Sequence, residues 1–266
     1  MLTSPIAFYH FYISMQTCYA LKLVMLIERA TLVEATREKL VEGTMAVRSA
    51  PIQTINLKLS YERAKRVLDI VFTLLIAVPV LLISAVVTLL IFADSEGPIL
   101  YRQKRIGRNG VEFEMLKFRS MYVKNDDSRH REAIKHYMNG SKLNNDTNSP
   151  FKIYNDPRVT KIGKFIRATS LDELPQFWNV LRGDMSLVGP RPPLPFEFEL
   201  YDLRHKLRLS GKPGLTGPWQ VYGRSRVTFE NMVEMDIAYL KQQSLWEDIK
   251  LIFLTVPVVI KKRGGA

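Results

Sequence analysis

The sequence predicts a mixed α/β, mostly helical protein: a re-entrant membrane helix hairpin, a small cytoplasmic domain, and interfacial amphipathic helices. Three observations predict it. The 24 residues from 70 to 93 carry no charge and are rich in Leu, Ile and Val. As a helix rising about 1.5 Å per residue they reach roughly 36 Å, enough for the hydrocarbon core of a bilayer. Basic clusters flank both ends, with Arg63, Lys65 and Arg66 before the run and Arg102, Lys104, Arg105 and Arg108 after it. Pro79 stands near the middle of the run, where its missing N–H and its ring interrupt helical hydrogen bonding and bend the helix. A straight crossing would carry one basic cluster to the outer side, against the positive-inside tendency, whereas a hairpin bent at Pro79 keeps both inside. The run is also too long and too uniformly apolar for a buried helix of a soluble domain.

Composition narrows the classes of function. With 47% hydrophobic residues in 266, the chain can build a real core, which excludes global disorder. A charge of +12, from 38 basic and 26 acidic residues, calls for anionic company: lipid headgroups, a nucleotide, a pyrophosphate or nucleic acid. The charge flanks an apolar span and no nucleic-acid-binding motif accompanies it, so nucleic acid is set aside. Cys18 is the single cysteine, and His10, His130, His136 and His205 are scattered. That excludes an intrachain disulfide and a structural zinc site, so any working metal is expected to be oxygen-ligated. The first 27 residues are apolar but lack a basic opening and a small-residue cleavage site, so a packed or membrane-lying helix is expected there rather than a cleaved signal. With a further helix over 31–48, residues 1–60 form an N-terminal helical extension of unknown role. Residues 61–98 form the membrane-embedded segment.

The cytoplasmic domain spans 99–264. Short strands are expected over 99–101 and 111–118, around a turn at 106–110. Residues from about 124 to 155 read as an inserted surface segment, polar except for a short helix over 131–138; the sequon at Asn145 carries no meaning in a cytoplasmic loop. An amphipathic helix is expected over 159–167. A second follows over 170–181, bent by Pro175 and closed by Arg182-Gly183-Asp184. Prolines make 189–193 extended and rigid and constrain the loop 212–219. Helices over 228–242 and 245–260 complete the domain. The last is apolar, with Trp246 at its start and Lys261, Lys262 and Arg263 at its end, the pattern of a helix lying at headgroup level.

Chemistry concentrates at Ser170-Leu171-Asp172-Glu173. The segment fits an S-x-x-E capping box, in which Ser170 and Glu173 satisfy orphan amides and Asp172 complements the helix dipole. The same geometry would keep Asp172 ionised as a nucleophile or Mg2+ ligand, and aspartate attack on phosphorus has precedent in phosphoenzymes. Phosphoryl transfer needs its charge neutralised, and Arg167, Arg182 and Arg191 lie close in sequence. Guanidinium forks match phosphate oxygens. Arg191, set among Pro190, Pro192 and Pro193, is hard to explain as a solvated charge. Lys212-Pro213-Gly214 and Gly223-Arg224-Ser225 place basic groups beside glycines, whose exposed amides can approach a phosphate. Lys117 and Arg119 alternate with apolar residues and so share one strand face, which an ordinary amphipathic strand would also show.

Taken in order, Lys65-Arg66-Val67-Leu68-Asp69, Leu116-Lys117-Phe118-Arg119-Ser120-Met121, Asp156-Pro157-Arg158-Val159-Thr160 and Ser170-Leu171-Asp172-Glu173-Leu174-Pro175-Gln176 carry a resemblance. It continues through Asn179 to Pro192, Lys212-Pro213-Gly214-Leu215-Thr216-Gly217 and Gly223-Arg224. From about residue 61 to 264 the chain resembles the bacterial sugar transferases, the monotopic polyprenol-phosphate phosphoglycosyl transferases. The resemblance implies a re-entrant helix broken at a proline; many members carry serine before it, where Val78 stands here. It implies a two-step reaction in which Asp172 attacks the sugar-bearing phosphorus of a UDP-sugar, releases UMP and passes the phospho-sugar to undecaprenyl phosphate. By the same resemblance Glu173 would help bind Mg2+ or adjust Asp172 and the acceptor, and Arg167 and Arg191 would hold phosphates; Lys117, Arg119, Arg182 and Arg224 complete the candidate phosphate-binding set. Membrane lipids and glycosyltransferases are the expected company, at the cytoplasmic face of the bacterial inner membrane, in the opening step of exopolysaccharide, capsule, O-antigen or other glycoconjugate synthesis. Relatives handle galactose, glucose and N-acetylated sugars. Larger members carry several membrane helices and another soluble domain before this part, so a short member or the back part of a long one is expected. The rival reading is a non-catalytic membrane-bound scaffold whose basic face holds anionic lipids or partner proteins.

Overall fold

A computed structural model describes residues 54–123, 128–140, 156–223, 227–242 and 244–260. The expected helices within 1–48, the sequon, Arg224 and the basic tail at 261–263 lie outside the described residues.

Helix α1 (Leu59–Leu75) is followed, after Ile76 alone, by α2 (Ala77–Asp94). The break expected at Pro79 therefore falls three residues earlier, where Ile76 takes φ −95° and ψ 1°. Pro79 sits in the first turn of α2, where a missing N–H removes no intrahelical bond. Its ring conflicts with the carbonyl four residues before it, that of Leu75, so the interruption belongs at that carbonyl. One face of α1 buries Arg66, Asp69, Ile70 and Thr73. Arg66 donates to the carbonyls of Val180 (2.5 Å) and Leu181 (2.7 Å), and Asp69 accepts from Ser186 Oγ and Leu187 N, both at 3.0 Å. Lys65 pairs with the buried Asp248 at 3.1 Å. By contrast α2 buries only Val87 and Ile91, while Leu81, Leu82, Leu89 and Phe92 are 66–78% exposed.

Strands β1 (Leu100–Ile106) and β2 (Glu112–Phe118) form an antiparallel hairpin, with Leu100 opposite Phe118 and Ile106 opposite Glu112. The first strand is longer than expected. Its alternation is legible: Arg102 and Lys104 pair with Glu114 and Glu112 on the exposed face, while Phe113 and Met115 turn inward. Helix α3 (Ser128–Met138) lies in the segment read as a surface insertion, yet Ile134 and Tyr137 are buried, Tyr137 among Tyr201, Phe229 and Met232. Spacing of three places both on one face.

Thr160 caps α4 (Lys161–Ala168), its Oγ1 accepting from Gly163 N at 2.9 Å. Gly163 lies against the Ser120 carbonyl, where a Cβ would collide. The single helix expected over 170–181 is divided into a 3-10 turn (Leu171–Glu173) and α5 (Gln176–Arg182), with Pro175 at the N-cap of α5. The capping box does not form: Ser170 has φ 58° and its side chain makes no cap bond. A proline one turn in would have cost the helix an internal bond, so the chain starts a new helix at it instead.

Strand β3 (Ser186–Val188) pairs in parallel with β4 (Gly214–Thr216), joined through α6 (Pro195–Glu199), α7 (Leu203–Lys206) and a 3-10 turn. Helices α8 (Phe229–Gln242) and α9 (Leu245–Ile260) close the described chain. One core gathers Val180, Met185, Leu187 and Val188 with Tyr239, Leu240 and Leu251, and another gathers Trp219, Phe229, Met232, Val233 and Ile237. Among the described residues α2 is the helix long and apolar enough to cross a membrane, by length and composition. On α9, Trp246, Phe253 and Val256 are exposed.

Candidate active site

The 3-10 turn carries its apolar and acidic residues on opposite sides. Leu171 and Leu174 pack against Val87 and Ile91 of α2, Phe118 of β2 and Ile166 of α4. That anchorage leaves Asp172 and Glu173 lining a cleft of about 1440 Å³. Asp172 is 9% exposed, whereas the Glu173 side chain is 40% exposed.

Several strands, helices and loops bring cations to the same cleft. Lys117, at the end of β2, places Nζ 3.4 Å from Glu173 Oε1. The strand is held at this register by Asn179 of α5, fully buried, which accepts from Leu116 N at 2.9 Å and donates to the Glu114 carbonyl at 2.7 Å. Arg167, from α4, has its guanidinium pushed below the ordinary arginine range by burial, with the charges of Asp172 and Asp156 opposing the shift. Asp156 is held below the usual carboxylate range, chiefly by hydrogen bonds from Arg158 at 2.9 and 2.7 Å. Arg105 donates to Gln103 Oε1 at 2.8 Å and to the Pro192 carbonyl at 2.9 Å. Burial and the neighbouring Arg191 charge lower it, but a guanidinium keeps its proton.

Arg191 is placed by a loop whose backbone has almost no freedom. The carbonyls of Pro190, Arg191, Pro192 and Pro193 accept from Gly214 N (2.9 Å), Arg208 Nη2 (3.4 Å), Arg105 Nη1 (2.9 Å) and Ile106 N (3.0 Å). Arg208 is itself buried against Asp236 (2.6 Å) and Tyr201 Oη (2.7 Å). Gly189 must be glycine because a Cβ would strike the Lys212 carbonyl. The Arg191 head pairs with Glu197 at 3.3 Å, and Glu197 also accepts from Leu194 N. Pre-placed donors of this kind suit anionic oxygens.

Of the residues singled out in the sequence, Asp172, Glu173, Lys117, Arg167 and Arg191 line the one cleft. Arg119 lines it as well, and donates to the carbonyls of Pro98 (2.5 Å) and Ser95 (2.6 Å). It thus gathers the C-cap carbonyl of α2 at Ser95 and, at 3.5 Å, the Ile91 carbonyl in its last turn, as a cation at a helix C-terminus does. Arg182 is 53% exposed beside Asp184 at 3.3 Å and is not among the residues that line the cleft. The sequence reading missed Arg105, counted there as a flanking charge, although strand alternation sets it on the face opposite Arg102 and Lys104. It also missed Arg158, whose place two residues after Asp156 was a usable local signal.

Among the described residues no three or more His, Cys, Asp or Glu side chains gather as a metal cluster. Asp172 and Glu173, adjacent and facing the cleft, offer one or two oxygen ligands. That donor set fits Mg2+, which commonly keeps waters and takes its other ligands from substrate phosphates.

The bacterial sugar transferase family matches residues 60–262. The chain is 46% identical over 212 residues to the galactosyl transferase CpsE of Streptococcus agalactiae serotype III (strain NEM316), covering 78% of this chain and 44% of that protein. It is 40% identical over 209 residues to the exopolysaccharide production protein ExoY of Rhizobium meliloti (strain 1021), covering 76% and 88%. A UDP-glucose:undecaprenyl-phosphate glucose-1-phosphate transferase of Klebsiella pneumoniae is 40% identical over 204 residues, covering 72% and 39%. The matched part thus spans under half the length of CpsE and of the Klebsiella protein, and most of ExoY.

Proposed function

The chain belongs to the bacterial sugar transferase family, and from that premise we propose that it is a phosphoglycosyl transferase. It moves a sugar 1-phosphate from a UDP-sugar to undecaprenyl phosphate, giving undecaprenyl-diphospho-sugar and UMP. The observation that carries the reading is the convergence of Lys117, Arg167 and Arg191 on the cleft lined by the buried Asp172 and by Glu173. Cations fixed around a carboxylate suit a diphosphate whose oxygens gain charge as its bond breaks.

In the first step an Asp172 carboxylate oxygen bonds to the sugar-bearing phosphorus. The bond from that phosphorus to the bridging oxygen breaks, and UMP departs with that oxygen and its electron pair. In the second step a phosphate oxygen of undecaprenyl phosphate bonds to the same phosphorus, and the bond to Asp172 breaks to restore the carboxylate. Arg167, coupled to Asp172 by charge, steadies the carboxylate before attack and the phosphate oxygens after it. Arg191, oriented by Glu197, holds the diphosphate. Glu173 would hold Mg2+ with Asp172, and the ion would supply further neutralisation of the diphosphate.

The acceptor's lipid tail is met by Phe72, Ile76, Ile252 and Val256, which line the same cleft. In this reading α1 and α2 form a re-entrant hairpin in the cytoplasmic leaflet of the bacterial inner membrane, and α9 lies at its surface. Cysteines placed at Arg63 and Arg102 in a Cys18→Ser background should both react with an impermeant thiol reagent from the cytoplasmic side only; labelling from opposite sides would replace the hairpin with a crossing helix.

Activity is tested by UMP release from a panel of UDP-sugars by detergent-solubilised protein with undecaprenyl phosphate and Mg2+, beside Asp172→Asn. Release from one sugar, lost in the variant, is expected. Folded protein that releases no UMP from any sugar would instead favour the membrane-bound scaffold.

A further inference from the structure

The described helix of the insertion, α3, reaches the cleft as well as the core. Tyr137 and Ile134 fix its buried face, and Tyr137 Oη donates to the Val227 carbonyl at 3.1 Å. Arg131 lies three residues before Ile134, on the same side of the helix. It lines the cleft, and its guanidinium stands 5.3 Å from the centre of the Phe196 ring. Phe196 belongs to α6, whose Glu197 holds Arg191. Two guanidiniums from distant parts of the sequence are therefore set by adjacent residues of one short helix. An arginine on an aromatic face keeps its donors while losing little freedom on binding.

We propose that Arg131, backed by Phe196, is a donor-binding residue that contacts the diphosphate of the nucleotide sugar. The contact is to the part shared by all UDP-sugars. This rests on reading the cleft as a nucleotide-sugar site, and it adds a ligand from a segment that looked like a peripheral insertion.

The test is steady-state turnover by wild type, Arg131→Ala, Arg131→Lys and Lys135→Ala, the last an exposed cation of α3 outside the cleft lining. A charge-assisted hydrogen bond predicts that Arg131→Ala raises the donor KM by about ten- to a hundredfold. The acceptor KM and the ranking of UDP-sugars should stay unchanged, with partial recovery in Arg131→Lys and no effect of Lys135→Ala. An unchanged donor KM, a raised acceptor KM, or an equal effect of Lys135→Ala would overturn the proposal. Calorimetric titration with UDP reads the contact without turnover: weaker binding by Arg131→Ala supports it and equal binding sinks it. Absence of UMP release by wild type is a separate result, against the transferase reading itself. Because Arg131 is exposed, the variants should melt at the wild-type temperature.

Discussion

Helices α2 and α8 both carry many apolar residues, yet they meet different surroundings. α8 buries Phe229, Met232, Val233, Ile237, Tyr239 and Leu240, and even its buried Asp236 has Arg208 as partner. α2 is longer and more apolar, and it buries only Val87 and Ile91, one turn apart, against the Asp172 turn and its neighbours. Apolar content thus records a need to leave water, while periodicity records whether protein supplies the alternative. A helix apolar on every side, with one narrow stripe against the domain, suits lipid on the rest.

Aspartate placed in each helix is the strongest way to break this contrast. Val233→Asp buries a charge in a filled core and should cost about 4 kcal/mol, read as loss of the folded, protease-resistant protein. Val86→Asp should leave the detergent-solubilised domain folded but penalise membrane insertion by about 3 kcal/mol. If flotation on lipid is unchanged in that variant, α2 does not face lipid. A comparable effect is expected from Asp236→Ala, which strands the buried Arg208 and should cost about 3 kcal/mol in chemical denaturation. Arg208 also holds the Arg191 carbonyl, so the donor KM should rise even where the protein is still folded. The smallest effect is a slope with pH. Burial pulls Lys212 from 10.5 to about 8. Between those values the unfolded chain keeps a proton that the folded protein has released, so stability gained from this group rises with pH across that window and is flat below about 8. The rise should be roughly 1–2 kcal/mol after allowing for relaxation around the buried charge, and absent in Lys212→Met.

The same contrast explains how far the sequence could be read. The β1–β2 hairpin, the proline-rich loop, α4, α8 and α9 follow from alternation, helical spacing and the restricted φ of proline, all local, whereas the parallel β3–β4 pair joins segments far apart in sequence and left no such signal. The carboxylate pair was found for a local reason as well, though the cap that accompanied it did not form. Lys117 and Arg119 show where local reading stops. Two residues apart in sequence and both lining the cleft, they looked equivalent, yet one meets Glu173 and the other donates to the Ser95 carbonyl at the C-cap of α2. Asn179, fully buried and joined to β2 across the domain, left no local signal at all.

By itself the sequence determined the length of the uncharged apolar segment, the presence of a proline-induced break, the rigidity of the Arg191 loop and the adjacency of Asp172 and Glu173. These depend on covalent geometry and on spacing along the chain. Tertiary structure decided that the break falls at Ile76, that Arg105, Arg158 and Arg131 line the cleft, that Arg119 donates to the Ser95 and Pro98 carbonyls and that Arg182 lies beside Asp184 outside the cleft lining. The physical reason is the long reach of arginine and its several donors: its role is set by whichever carbonyl or carboxylate folding brings within about 3 Å.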